Sequence, residues 1–203
     1  MSSDLPGSER KPVTHGGQVK APRADALRNR EKLMATAAKV FPAQGTNASL
    51  EDIARQSGVG IGTLYRHFPT REHLVEAVYR RELESLAAAA EHLAATRPAD
   101  VALEEWMARF VLYIAAKRGM AESLKALMSA NSDLFTEGTS RIREAMEGLR
   151  AKASAEGLIR SDMDTTDLLH ALSGIYSMSD LPDWKPRAHR LIGLLMDGLR
   201  TRA

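Results

Sequence analysis

The chain has no cysteine among its 203 residues. Disulfides, thiolate-held zinc and a cysteine nucleophile are therefore excluded, and the lack is compatible with a reducing compartment. Long apolar runs are missing too. No uninterrupted apolar stretch approaches the roughly 18 residues of a membrane span, and the first residues lack the apolar run of a signal peptide. The expectation is a cytoplasmic protein with no membrane contact. Catalytic signatures are equally scarce. The 6 histidines are scattered, with His67 and His73 poorly spaced for one helical face. Neither H-E-x-x-H nor G-x-S-x-G occurs, and no metal ligands cluster. No enzyme, metal or other cofactor is expected.

What is present is an ordinary globular composition, 44% hydrophobic and 27% charged. That supplies a real core for one large domain or two small ones. The net charge is only +2, but Met1 to Glu82 carries 13 Lys/Arg against 9 Asp/Glu and the remainder 15 against 17. A mildly basic front half points to a polyanionic partner there.

Residues 1–23 mix Ser, Gly, Pro and charge without apolar periodicity and read as a disordered basic tail. From Ala24 onward the pattern is helical throughout, with no strand-like alternation. Leu27, Leu33, Met34, Ala37, Ala38 and Phe41 follow three-and-four spacing up to Gly45, and Pro42 should loosen the last turn. Ser49 is a natural N-cap for a short helix with Leu50, Ile53 and Ala54 inward, which Gly58 ends. A second short helix runs from about Gly60 to Phe68. Thr70 caps a long helix bearing Leu74, Ala77, Val78, Leu83 and Leu86. Further apolar stripes follow: Leu103 to Ile114, ending near Gly119; Leu124, Leu127 and Met128; Ile142, Met146 and Leu149 before Gly157. Thr165 or Thr166 caps a helix carrying Leu168 to Tyr176, and a last helix carries Leu191 to Leu199. The fold class is all-α.

The stretch SGVGIGTLYRHF (57–68) packs three glycines into five residues. Its G-x-G-x-G spacing is not the dinucleotide fingerprint, a helix precedes it, and no GK[ST] follows. Helix, glycine-bearing turn and helix instead form the layout of a helix-turn-helix, whose second helix enters the DNA major groove. At about 100° per residue, Leu64 and Phe68 share one side. Gly62, Thr63 and Arg66 fall on the other, flanked by Tyr65 and His67. Arg66 and Thr63 can reach base edges or phosphates, and Gly62 lets backbone approach DNA closely.

From Arg30 to Tyr79, through SLEDIARQSGV and GTLYRHFPTREHLVEAVY, the sequence resembles the TetR-like transcriptional repressors. GLIRSDMDTTDLL (157–169) is similar to the linker before their penultimate helix. The resemblance implies a DNA-binding unit at 24–70 and a helical effector-binding and dimerisation domain at 71–203. It implies that Ser49 and Leu50 set a helix N-terminus against phosphate, and that Gly62, Thr63 and Arg66 face the groove. Tyr65 and His67 then contact backbone phosphates, and Arg71 clamps another. Gly60, often Ser in relatives, caps more weakly, and Ile61 either packs or touches a thymine methyl.

The resemblance also implies a homodimer through the last two helices, with Leu168, Leu172, Ile175, Leu191, Leu195 and Leu199 at the interface. Gly174 and Gly193 allow close helix approach. Between head and interface, an effector pocket is expected from Trp106, Met107, Phe110, Tyr113, Met128 and Phe135. Their sparse polarity implies a mainly apolar small molecule. The resulting expectation is a regulator, a repressor on a palindromic operator, released by its effector. The rival is a helical adaptor or scaffold dimer without ligand-gated DNA binding.

Overall fold

The computed structural model describes residues 22–45, 48–118, 120–130, 132–177 and 181–201. The expected tail, apart from Pro22 and Arg23, and the stop at Gly119 lie outside the described residues. Among those described, the chain is all-α. Its helices are α1 (Pro22–Gln44), α2 (Leu50–Ser57), α3 (Ile61–His67), α4 (Arg71–Thr96), α5 (Ala99–Arg118), α6 (Ala121–Ala130), α7 (Ser132–Ala155), α8 (Thr165–Tyr176) and α9 (Trp184–Leu199).

Local chemistry sets the boundaries that build the head. The Ser49 hydroxyl accepts from the Asp52 N–H at 2.9 Å and so caps α2. Gly58, at φ 68°, ends that helix, its N–H reaching the Ala54 and Arg55 carbonyls. A side chain there would be strained. α3 opens at Gly60 with no side-chain cap, and Thr70 caps α4 by accepting from the His73 N–H. α1 runs past Pro42 to Gln44. Two expectations need correction. Asp164, not Thr165 or Thr166, caps α8, its carboxylate accepting from the Thr166 N–H at 2.6 Å; Thr165 is buried instead. Leu27 is exposed, because α1 begins beyond the elements that cover its later turns.

The head core joins Leu33, Ala37 and Phe41 of α1 to Ile53, Leu64, Phe68 and Leu74, all buried. The expected division at 70/71 falls at the cap of α4, and buried residues run across it in one cluster. Beyond it, α5 is the central helix, packed against α1, α4, α6, α7, α8 and α9. Its Trp106 is fully enclosed and donates Nε1–H to the Leu86 carbonyl at 3.0 Å, so the indole is satisfied as well as buried. The C-terminus is tied back to α5: Arg200 reaches Asp100 at 3.1 Å and Glu104 at 2.9 Å.

Candidate nucleic-acid interface

α3 has one apolar side and one open side, and the packing decides which is which. Leu64 and Phe68 are buried against α1 and α2, which fixes the helix's rotation about its axis. Ile61 (40% exposed) and Tyr65 (43% exposed) therefore stand on the surface with Gly60, Gly62 and Arg66. Thr63 and His67 are half-buried beside them. Ile61 does not pack inward; of its two expected roles, only the outward one is geometrically open.

The polar groups of this face are occupied with one another. Arg66 folds back along α3, its Nε–H donating to the Gly62 carbonyl at 3.2 Å and a terminal N–H to the Thr63 hydroxyl at 3.0 Å. Tyr65 points its hydroxyl at a Glu51 carboxylate oxygen 3.5 Å away, a long contact that a better acceptor such as phosphate can replace. Asp52 is paired with Arg55 at 2.6 Å, and that guanidinium, followed by Ser49, holds its carboxyl below the usual range. A Cβ built on Gly62 meets nothing within 4 Å. The fold itself does not need glycine there.

Ser49 and Leu50 are half-buried at the start of α2. The Ser49 hydroxyl is already used as the cap, so what this terminus offers an anion is the backbone N–H groups of the first turn. Arg71 has partners within the fold. It is not a free side chain awaiting a phosphate: its guanidinium donates to the Ala48 and Gly45 carbonyls, the latter at 3.1 Å, and lies over the Phe41 ring at 5.1 Å. It closes the α1–α2 connection onto the start of α4. The sequence carried no local sign of this, because the partners lie more than twenty residues away.

The expected effector set is brought together in part, Trp106, Phe110 and Tyr113 stacking in series along α5. Trp106, Met107 and Phe110 are core, with Trp106 and Phe110 stacked at 5.6 Å, because α5 is enclosed on nearly every side. Met128 is 52% exposed on α6. Phe135 stacks on Tyr79 at 5.0 Å, and Tyr113 lines a groove of about 270 Å³ between α4 and α5. A larger groove of about 510 Å³ between α4 and α7 is walled by Ala87, Ala90, Ala94, Arg141, Glu144 and Gly148, none of them expected.

The interface set divides. Leu168 and Leu172 are buried within the chain and serve its own core, a correction to their expected role; Leu199 is buried too but lines an apolar groove between α8 and α9. Ile175, Leu191 and Leu195 are half-buried and, with Met163 and the 67% exposed Leu194, line the same groove, of about 410 Å³. Leu194 was not singled out, although it sits in the same leucine run. Among the described residues no helix is long and apolar enough to cross a membrane, and no group of His, Cys, Asp and Glu could hold a metal ion.

Compared with known proteins, residues 33–78 match the model for bacterial regulatory proteins of the tetR family. Residues 97–201 match that for the C-terminal domain of SbtR-like transcriptional regulators. A TetR transcriptional regulator of Streptomyces coelicolor is 45% identical, covering 86% of this chain and 99% of its own with a TM-score of 0.78. A TetR regulatory protein of Mycobacterium vanbaalenii is 31% identical over 88% and 99% of the two chains, with a TM-score of 0.70. An HTH-type transcriptional regulator of Staphylococcus aureus is 41% identical over 64 residues, 31% of this chain and 35% of its own. The chain thus spans about a third of the curated relatives it matches. These are regulators rather than enzymes. Two matching models in chain order and full-length structural relatives place this chain in the TetR family of bacterial transcriptional regulators.

Proposed function

We propose that the protein binds double-stranded DNA as a homodimer and represses transcription from a palindromic operator until a small-molecule effector releases it. The observation that carries this reading is the open face of α3: Ile61, Gly62, Thr63, Tyr65 and Arg66 stand clear of the core while Leu64 and Phe68 hold the helix rigidly. Such a face has no role within the fold. Its residue types suit phosphates and base edges, and its action in the cytoplasm follows from where bacterial DNA lies.

Two heads at fixed spacing are what a palindrome requires. The α8/α9 groove supports dimerisation, and among the described residues a Cβ at Gly174 or Gly193 meets no neighbouring element within 4 Å. These positions leave room for a second helix to approach closely. Leu194→Asp is expected to leave a folded monomer by sedimentation and to abolish high-affinity DNA binding. A dimer persisting in that variant would move the interface elsewhere.

The decisive experiment is a gel-shift on DNA upstream of the protein's own gene, with a salt series. Sequence-specific, salt-sensitive binding is expected; its absence across sequences and salts favours a scaffold dimer. Arg66→Ala should cost roughly 1–3 kcal/mol at one base pair per half-site if the side chain unfolds from α3 to read a base. Uniform weakening of every sequence would reduce it to a phosphate contact.

A further inference from the structure

Three polar side chains meet in the body, and one of them is buried without a hydrogen-bond partner. The Tyr113 hydroxyl of α5 is fully enclosed and has no hydrogen-bond partner among the described residues. One turn on, the half-buried Lys117 places its ammonium 5.0 Å from the Tyr113 ring and 4.9 Å from the Tyr79 ring of α4. Among the described residues no carboxylate lies within ion-pair distance of it. The Tyr79 phenol faces the Tyr113 hydroxyl closely enough for each to perturb the other's ionisation as a hydrogen-bonding neighbour, although no hydrogen bond of normal geometry reaches the Tyr113 oxygen.

The backbone is shaped around this group. A Cβ at Gly138 of α7 would stand 2.5 Å from the Tyr79 hydroxyl, so even alanine there has to push the phenol aside. An enclosed hydroxyl without a partner is destabilising, and a cation drawn out of water is more so unless paired. Two ring faces return part of that cost for Lys117; neither neutralises its charge. The arrangement is expensive for a purely structural core and is the kind of expense that sites carry.

We propose that Lys117, Tyr113 and Tyr79 form the head of a binding site for a small organic carboxylate. The carboxylate pairs with the Lys117 ammonium and accepts hydrogen bonds from the two phenols. One cation and two neutral donors balance a single negative charge. A phosphate dianion would leave an excess beside Glu82, the acidic side chain that faces Tyr113. Of the three, Tyr113 lines the α4/α5 groove, whose other walls include Ser85, Leu86 and Leu112, with Glu82 and Arg109 cancelling in charge. At about 270 Å³ it lies below the usual range for drug-sized ligands, roughly 300–1,000 Å³, so the molecule is small. The site replaces the apolar effector of the sequence-based expectation with an anionic one. Only its consequence for DNA rests on the effector-release reading above; the binding itself does not.

The full chain is titrated calorimetrically with sodium benzoate, with neutral benzamide and with inorganic phosphate, at constant ionic strength. Saturable binding of benzoate is expected, with none of benzamide or phosphate. Lys117→Met should weaken it at least about tenfold, the size of a lost charge-assisted bond. Tyr113→Phe, which deletes only a partnerless hydroxyl, should weaken it severalfold while the melting temperature holds or rises; it decides the matter should Lys117→Met fail to fold. The proposal is overturned if benzoate does not bind at tens of millimolar, if phosphate or benzamide binds as well, or if both variants bind like the wild type. A gel-shift without benzoate tests operator binding separately. Benzoate that binds without releasing DNA leaves the site standing and removes the effector-release reading.

Discussion

Helices α3 and α5 both mix aromatic with aliphatic residues, and they spend them in opposite ways. α3 touches the rest of the protein along one stripe, so Leu64 is buried and Tyr65 next to it faces water. α5 is wrapped by its neighbours, and Trp106, Met107, Phe110 and Tyr113 are all buried. A short helix with one attachment stripe declares its free face as the part available for recognition. An enclosed helix declares only core, and an aromatic cluster on it says little about ligands until a polar atom within it is found without a partner.

The sharpest way to break this contrast is to detach α3. Phe68→Ala removes a fully buried ring from the junction of α3 and α1, and should cost about 3–5 kcal/mol. Thermal unfolding should split, the head melting before the body, and DNA binding should vanish with the head. A single transition, displaced as a whole, would mean that head and body unfold as one unit through α4.

Arg71→Ala is expected to come next in size. It strands the Ala48 and Gly45 carbonyls and uncovers the Phe41 ring, at a cost of about 1–3 kcal/mol. The melting temperature should fall by about 2–4 °C for each kcal/mol in a chain this long. If positioning is its whole role, the salt dependence of DNA binding keeps its slope. A slope smaller by about one phosphate contact would restore the clamp.

Gly62→Ala probes the free face with little disturbance to the fold, because a Cβ there meets nothing and alanine is favoured over glycine in a helix by about 1 kcal/mol. Unchanged or raised stability with weaker DNA binding is expected. Binding equal to the wild type would mean that the α3 backbone does not approach the duplex closely.

The head was legible because its signals are local. Ser49, Gly58 and Thr70 each act within four residues, and Leu64 with Phe68 orients α3 by spacing alone. The body was legible as helices but not as a site. Which of the leucines on α8 and α9 face inward depends on how α5 lies beneath them, so Leu172 and Leu195 read alike in sequence and part in the structure. Met128 and Phe110 carry equally apolar side chains, yet only the second has a neighbour on every side. The motif places Arg71 beside DNA, and nothing nearby in sequence announces its bonds to the Gly45 and Ala48 carbonyls. Lys117 was overlooked although it follows Tyr113 by one helical turn, since the third member, Tyr79, comes from another helix.

The smallest expected effect tests whether α5 is core throughout or carries a site. Burial lowers the Lys117 ammonium from its ordinary 10.5 to about 8, while burial raises the Tyr79 and Tyr113 phenols, which therefore stay neutral over that window. Below pH 8 both folded and unfolded chains hold the proton, and the cost of enclosing the charge is fully present. Between about 8 and 10.5 the unfolded chain binds more protons than the folded one, so this group's contribution to stability rises with pH. Lys117→Met should therefore melt a few degrees above the wild type at neutral pH, and the difference should shrink toward pH 10.5. A bound carboxylate favours the charged amine and raises its pKa. Saturating benzoate should accordingly flatten the wild-type slope and leave that of Lys117→Met alone. A slope indifferent to benzoate would return Tyr79, Tyr113 and Lys117 to the core and make α5 structural along its whole length.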